Sequence, residues 1–152
     1  MKKAIYINCW TDPWVKVAEQ IKDRFGIEPG YWVGYHEEQK EGLINETFPD
    51  TIYHSDLDAW CGRFPKLIES HFEEMGLSID FLRDNSQSEL LAMKMLDRLD
   101  PNQHCFSFSE RQRHVRNLFR KWLYCLEIIK PEFVVTPMVP HRIYDYTLVV
   151  MR

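Results

Sequence analysis

Two groups of side chains in this sequence have types and spacings suited to chemistry. Near the end, His141 and Asp145 stand four apart in Pro-His-Arg-Ile-Tyr-Asp. If a helix starts at about Arg142, they face each other across its first turn, and an aspartate that orients a histidine prepares a general base. The competing use is structural: Asp145 supports the helix N-terminus electrostatically and His141 fills the turn. Earlier, His54-Ser55-Asp56-Leu57-Asp58 places three possible metal ligands on alternate residues. Such a set needs closure by a further ligand, for which His36 or Glu37 is available. Helix capping by Ser55 or Asp56 accounts for the same residues more simply, and no metal is assigned.

Strands must deliver these residues to one place. Ala4-Ile5-Tyr6-Ile7, Tyr31-Trp32-Val33-Gly34-Tyr35, Thr51-Ile52-Tyr53-His54 and Phe133-Val134-Val135-Thr136 are short runs of β-forming residues. Between the first two, Thr11 or Asp12 as cap and Pro13 at the first position open a helix whose Trp14, Val17, Ala18, Ile21 and Phe25 recur at helical spacing, closed by Gly26. Pro29-Gly30 reads as a turn before the second strand. A β-α-β unit of this length implies parallel strands.

The expected fold is therefore α/β, a Rossmann-like three-layer sandwich in one domain over residues 1–152. Its mostly parallel sheet of about four strands, near 4–7, 31–35, 51–54 and 133–136, is flanked by helices. The unbroken apolar run at Phe133 places that strand at the sheet centre beside the first. Residues 42–65 are less regular.

Further helices are expected in the second half. Leu67, Ile68, His71, Phe72 and Met75 form one apolar stripe that stops at Gly76. Ser86 with Glu89 makes a capping box for a second helix, and Ser109 with Gln112 makes one for a long helix to Lys130. Val115, Leu118, Phe119, Trp122, Leu123, Leu126 and Ile129 trace the core face of that long helix. Arg111, Arg113, Arg116, Arg120 and Lys121 fall mostly off it and read as a solvated flank, with an anion-binding surface as the alternative. A last helix runs from Tyr144 to Arg152.

In open parallel sheets ligands bind beyond the carboxyl ends of the strands. The exit turns there offer Asn8, Asp12, His36, His54, Thr136 and Arg142 as substrate-binding candidates, beside His141 and Asp145 as the catalytic pair. The turn after the first strand has no glycine, so neither a dinucleotide fingerprint nor a phosphate-binding loop is present, and no cofactor is assigned. No Gly-x-Ser-x-Gly elbow occurs either. Cys9 ends a strand close to a helix start, where thiol pKa values fall, but a packed thiol is the simpler reading.

Composition bounds the rest. The formal net charge of −4, with basic and acidic residues interspersed, disfavours a nucleic-acid surface. At 45% hydrophobic and 14% aromatic the chain has the content of a folded domain. It holds no apolar run of the roughly 18 residues a transmembrane helix needs. The opening Met-Lys-Lys-Ala-Ile-Tyr-Ile-Asn turns polar too soon for a signal peptide, so a cytoplasmic protein is expected. Cys9, Cys61, Cys105 and Cys125 are widely spaced with no Cys-x-x-Cys pair, which reads as reduced thiols.

The run Leu126-Glu127-Ile128-Ile129-Lys130-Pro131, the strand Phe133-Val134-Val135 and the segment Pro140-His141-Arg142-Ile143-Tyr144-Asp145-Tyr146 resemble the amino-terminal half of capsular or surface polysaccharide biosynthesis proteins. These are related to glycosyltransferases with two Rossmann-like domains (GT-B type). The resemblance covers residues 105–152. It implies an acceptor-side domain, with the nucleotide-sugar donor gripped by a second domain or partner chain, and catalysis incomplete in this chain alone. A glycan or small-molecule ligand is the implied partner. Pro140, His141 and Asp145 are the residues that carry over. The alternatives are a non-enzymatic binding or assembly module using Trp10, Trp14, Trp32 and Trp60, and a flavodoxin-like enzyme holding a phosphorylated or carboxylated metabolite through Arg142.

Overall fold

The first strand, β1 (Lys2–Ile7), is buried on both faces: Ala4, Ile5, Tyr6 and Ile7 have no exposed surface. A computed structural model describes residues 1–102 and 105–151. Helix α1 (Pro13–Phe25) carries the chain to β2 (Ile27–Gly34), α2 (Glu38–Thr47) to β3 (Ile52–Ser55), and α3 (Asp56–Cys61) follows directly. The fourth strand, β4 (Phe133–Val135), comes much later. The sheet is all parallel in the order β3-β2-β1-β4. The molecule is thus an α/β fold, a four-stranded parallel sheet flanked by helices, and its fold class is as expected.

The chain divides into two compact units, one of residues 1–65 and 126–139 and one of Lys66–Cys125 with the residues from Pro140 on. The first holds the whole sheet. On one sheet face Ala4, Tyr6 and Trp32 pack with Val15 and Ala18 of α1 and Ile44 and Phe48 near α2. Tyr6 and Trp32 stack at 4.6 Å with planes 3° apart, and the Trp32 indole donates to the Cys9 carbonyl at 3.1 Å. Pro13 sits in the first turn of α1, and Gly26 closes the helix at φ 64°; a left-handed C-cap is where glycine costs least. Asp12 holds the cap position without a side-chain capping bond.

Three details differ from expectation. Pro29-Gly30 is not a turn but an irregularity inside β2, where pairing with β1 steps from Ala4↔Pro29 to Ile5↔Tyr31. Pro29 has no N–H to lend to the ladder, and a Cβ on Gly30 would lie 2.8 Å from Ile129 and 3.2 Å from Lys3. The strand β4 lies beside β1 but at the sheet edge, with Phe133 41% exposed. Three apolar residues are too few to separate a central strand from an edge strand, and the run that marks the centre is β1. Finally, α2 occupies the acidic stretch after Tyr35, where only Ile44 is buried, so its apolar signal is faint.

The second unit is helical. Its segments are α4 (Lys66–Glu69), a 3-10 turn at Phe72–Glu74, α5 (Ile79–Asp84), α6 (Ser86–Met95), α7 (Phe108–Ile129), whose last turn lies in the first unit, and α8 (Ile143–Val149). Arg152, the expected end of the last helix, lies outside the described residues. The single stripe expected at 67–75 is broken after Glu69, where the Ser70 hydroxyl donates to the Lys66 carbonyl at 2.8 Å; such side-chain bonds compete with helix continuation. The α7 core face is as read at Val115, Leu118, Phe119 and Trp122, which are buried, whereas Leu123, Leu126 and Ile129 are half-buried and Cys125 is buried in addition.

Both capping boxes were misplaced. On α7 the pair is Ser107 and Glu110: the Ser107 amide donates to Glu110 Oε2 at 2.8 Å and the Glu110 amide donates to Ser107 Oγ at 3.3 Å. Those bonds hold the Glu110 carboxyl below its usual range. Glu89 makes no cap and instead receives Arg116 Nε at 2.6 Å. The basic flank of α7 is also far from uniformly solvated. The Arg111 and Lys121 side chains are 10% and 9% exposed, paired with Asp97 and Asp100 and with Glu69 respectively.

Candidate functional site

Because all four strands are parallel, Asn8, His36, Asp56 and Thr136 leave the sheet at one edge, its carboxyl edge. The β2–β3 register pairs Gly34 with Ser55. His36 and Asp56 follow that pair on adjacent strands, and His36 Nδ1 lies 3.2 Å from Asp56 Oδ1. Asp56 is buried at 5% exposure, at the first position of α3, which Ser55 caps by accepting the Asp58 amide at 3.2 Å. The His36 side chain is 38% exposed. In its neutral form Nδ1–H donates to the carboxylate, and Nε2 is left as a proton acceptor with no partner among the described residues. An aspartate-oriented histidine is therefore present at 36 and 56.

Ser55 and Asp58, which flank Asp56 in the chain, line an open cleft of about 420 Å³ together with Glu41, Tyr53, His54, Arg63, Phe64 and Pro65; His36 and Asp56 are not among its walls. Arg63 Nε donates to Asp58 Oδ1 at 2.8 Å, giving a charged pair on one wall. Tyr53 donates its hydroxyl to the Tyr35 carbonyl. Burial, with the carboxylates of Glu41, Asp56 and Glu37 nearby, holds the Tyr53 phenol well above its ordinary pKa, so it remains a donor. Tyr53 also lines a second, much smaller crevice between the β1 and β2 exits, with Cys9, Trp10, Asp12, Trp32 and Lys40 among its walls. That crevice has about 10 Å³ of free volume, at the limit for one water. The ligand-sized space at this edge lies next to β3.

Each sequence candidate can be placed. His54 lies inside β3, as the expected strand at 51–54 had it, and is 3% exposed, with Tyr31 Oη 2.7 Å from Nδ1 and the Arg63 carbonyl 2.8 Å from Nε2. Because a carbonyl only accepts, Nε2 carries the proton and, in the neutral ring, Nδ1 accepts from Tyr31. Both ring nitrogens are thus used internally, although an edge of the ring lines the cleft. Asn8 is 1% exposed at φ 62°, a left-handed conformation that asparagine tolerates. Asp12 is exposed and pairs with Lys40 of α2. Thr136 turns on itself, donating to the Met138 carbonyl at 2.9 Å.

His141, Arg142 and Asp145 belong to the second unit. Helix α8 begins at Ile143, between the two expected starts at Arg142 and Tyr144, with Arg142 as its N-cap. Asp145 is fully buried, and its Oδ1 accepts the Arg142 amide at 2.7 Å. Its carboxylate thus does the work of a helix N-terminus. The His141 carbonyl accepts from Arg98 at 2.9 Å, and the Arg142 guanidinium donates to Tyr144 Oη at 3.2 Å.

Cys9 is 3% exposed, its thiol 3.7 Å from the Ile7 carbonyl and 3.8 Å from the Val135 carbonyl. Burial pushes its pKa up to about 12, which makes it a packed thiol rather than a nucleophile. Among the described residues no three His, Cys, Asp or Glu side chains are grouped to hold a metal, and no helix is long and apolar enough to cross a membrane. Trp32 is buried, and Trp10, Trp14 and Trp60 are half-buried, so the tryptophans expose no large joint patch. Comparison with known proteins gives no matching family model, no matching curated protein and no matching solved structure.

Sequence reading grouped Asp56 with His36 only as possible metal ligands and passed over Asp56 as the residue that orients His36, and Glu41, Tyr53, Arg63 and Phe64 as cleft walls. The signal that would have found Asp56 is the strand register. Once Gly34 is set opposite Ser55, the residues just beyond them must be neighbours.

Proposed function

We propose that this chain is the acceptor-side Rossmann-like domain of a cytoplasmic protein of surface or capsular polysaccharide biosynthesis, glycosyltransferase-like in its chemistry. The observation that carries the proposal is the His36–Asp56 pair at the carboxyl edge of the parallel sheet, where Ser55 and Asp58, on either side of Asp56 in the chain, line an open polar cleft. A sugar presents hydroxyls and apolar ring faces. Glu41, Asp58 and Arg63 suit the hydroxyls, and Tyr53 and Phe64 suit the faces. An acceptor hydroxyl near His36 Nε2 would give its proton to the imidazole as its oxygen attacks the donor's anomeric carbon. The leaving group departs with the electrons of the bond it loses, and Asp56 stabilises the imidazolium. The donor sugar nucleotide is assigned to a second domain or partner chain. We assign base catalysis to His36 in preference to the expected His141–Asp145 pair, whose Asp145 Oδ1 accepts the Arg142 amide at 2.7 Å.

The test is an amide and imidazole NMR titration with methyl glycosides of glucose, galactose and N-acetylglucosamine, run beside UDP-glucose. The proposal expects saturable shifts at His36, Ser55, Asp58 and Arg63 with at least one glycoside, and none of comparable affinity with UDP-glucose. Tight UDP-glucose binding at this edge, or no glycoside response there, would remove the acceptor assignment.

A further inference from the structure

In the second unit, Ser109, Gln112, Arg113, Arg116, Asn117 and Arg120 follow one another at helical spacing along a single stripe of α7. Together with Gly76, Leu77 and Leu82 they line an open pocket of about 460 Å³. The lining contains three guanidinium groups, one hydroxyl, two amides, and no carboxylate. Like charges three and four residues apart on a helix repel one another, and the chain as a whole carries a net charge of −4. Concentrating three arginines on one open concavity therefore favours an anion there, from the protein or from a ligand.

The protein supplies only part of it. Arg116 is matched by Glu89, with Nε to Oε1 at 2.6 Å and a longer contact of 3.5 Å from the terminal nitrogen. Arg120 is held by neutral groups: Nε donates to the Met75 carbonyl at 2.8 Å, Nη2 to the Glu73 carbonyl at 2.6 Å, and the guanidinium lies 5.4 Å from the Phe72 ring centroid. It is thus fixed in place while its charge stays unneutralised. Arg113 is exposed, and among the described residues no carboxylate forms an ion pair with either Arg113 or Arg120. Glu110, whose carboxyl Arg113 also helps to hold low, is hydrogen-bonded by the Ser107 amide and hydroxyl and forms no ion pair with Arg113.

We propose that this pocket is a binding site for an anionic sugar, a uronate or a sugar phosphate. Arg113 and Arg120 take its oxyanion, Gln112, Asn117 and Ser109 take hydroxyls, and Leu77 and Leu82 form an apolar floor against the ring. Guanidinium N–H groups suit carboxylate and phosphate alike, so the ligand class is the charged sugar and the two sources are separated by titration. The site is independent of the carboxyl-edge reading, because none of its residues is in the first unit.

The experiment titrates the whole chain with glucuronate, glucose 1-phosphate and glucose, followed by calorimetry and amide NMR, on the native protein and on Arg113→Ala and Arg83→Ala. Arg83 is an exposed arginine outside the pocket and controls for general surface charge. The expected result is binding of at least one charged sugar, with shifts at Ser109, Gln112, Arg113 and Asn117 and a much weaker response to glucose. Arg113→Ala should weaken binding about tenfold or more, since it removes a charge-assisted hydrogen bond, and Arg83→Ala should leave it unchanged. The stronger of the two charged sugars identifies the oxyanion. Equal loss in both variants, shifts mapping elsewhere, or no difference between charged and neutral sugars overturns the proposal.

Discussion

Replacing Gly34 by alanine tests the packing that shapes the cleft. A Cβ there would stand 2.5 Å from Tyr53 Oη and 2.8 and 2.9 Å from two ring carbons. Ordinary contact lies near 3.5 to 4.0 Å, so the phenol must retreat by roughly 1 Å. Overpacking of this kind costs about 1–3 kcal/mol. The retreat also stretches the hydrogen bond from Tyr53 to the Tyr35 carbonyl, worth about 0.5–1.5 kcal/mol. Against this, alanine in a strand gains about 0.5–1 kcal/mol over glycine, because Gly34 has no left-handed φ to protect. The net expectation is a destabilisation of about 2 kcal/mol. With Tyr53→Ala in the background the clash disappears, and Gly34→Ala should become neutral or slightly stabilising. Urea unfolding of the native protein, both single variants and the double variant gives the coupling directly. A coupling energy within the ~0.5 kcal/mol seen for independent sites would refute the contact.

Three further outcomes are expected. Asp145→Ala should cost about 1–2 kcal/mol in urea unfolding, the range for a lost N-terminal cap, because its carboxylate accepts the Arg142 amide at 2.7 Å; a variant of native stability would release Asp145 for chemistry. Asp100→Ala should cost about 3–5 kcal/mol, since that 1%-exposed carboxylate receives Arg111 and the amides of Cys105 and Phe106; a loss in melting temperature no larger than that of an exposed control such as Asp84→Ala would contradict it. At mildly alkaline pH a thiol reagent should modify Cys61 and Cys105 in the native state and reach Cys9 and Cys125 only on unfolding, because burial raises the pKa of both inner thiols. Mass spectrometry of the labelled protein reads this, and fast native labelling of Cys9 would refute its burial.

What the sequence made legible followed the strength of local signals. The first strand, the Pro13 start and Gly26 stop of α1, the parallel pairing and the core face of α7 all rest on strong apolar periodicity or on residues with little conformational choice. Helix α2 escaped notice because one buried residue in ten gives no period, and Gly42 interrupts it. The start of α7 offered two overlapping Ser-x-x-Glu/Gln signals two residues apart, and local rules cannot rank them. Glu89 fitted a cap by spacing but was claimed by Arg116, which lies 27 residues away. The candidate site shows the same division. Its location at the strand exits followed from parallel topology alone, whereas the partner of His36 depended on the register between β2 and β3, which no local pattern reports.

The orientation of His36 by Asp56 is the centre of the functional account, and a long-range proton–nitrogen NMR spectrum of the histidine rings tests it most directly. Above the titration range the account predicts opposite tautomers at the sheet edge. His36 carries its proton on Nδ1, toward Asp56, and His54 carries it on Nε2, toward the Arg63 carbonyl. Adding an acceptor glycoside should then shift the His36 Nε2 resonance and leave the proton on Nδ1, while Asp56→Asn should weaken that preference. A His36 ring protonated on Nε2 in the native protein, or an Nε2 resonance indifferent to every glycoside, would contradict the assignment.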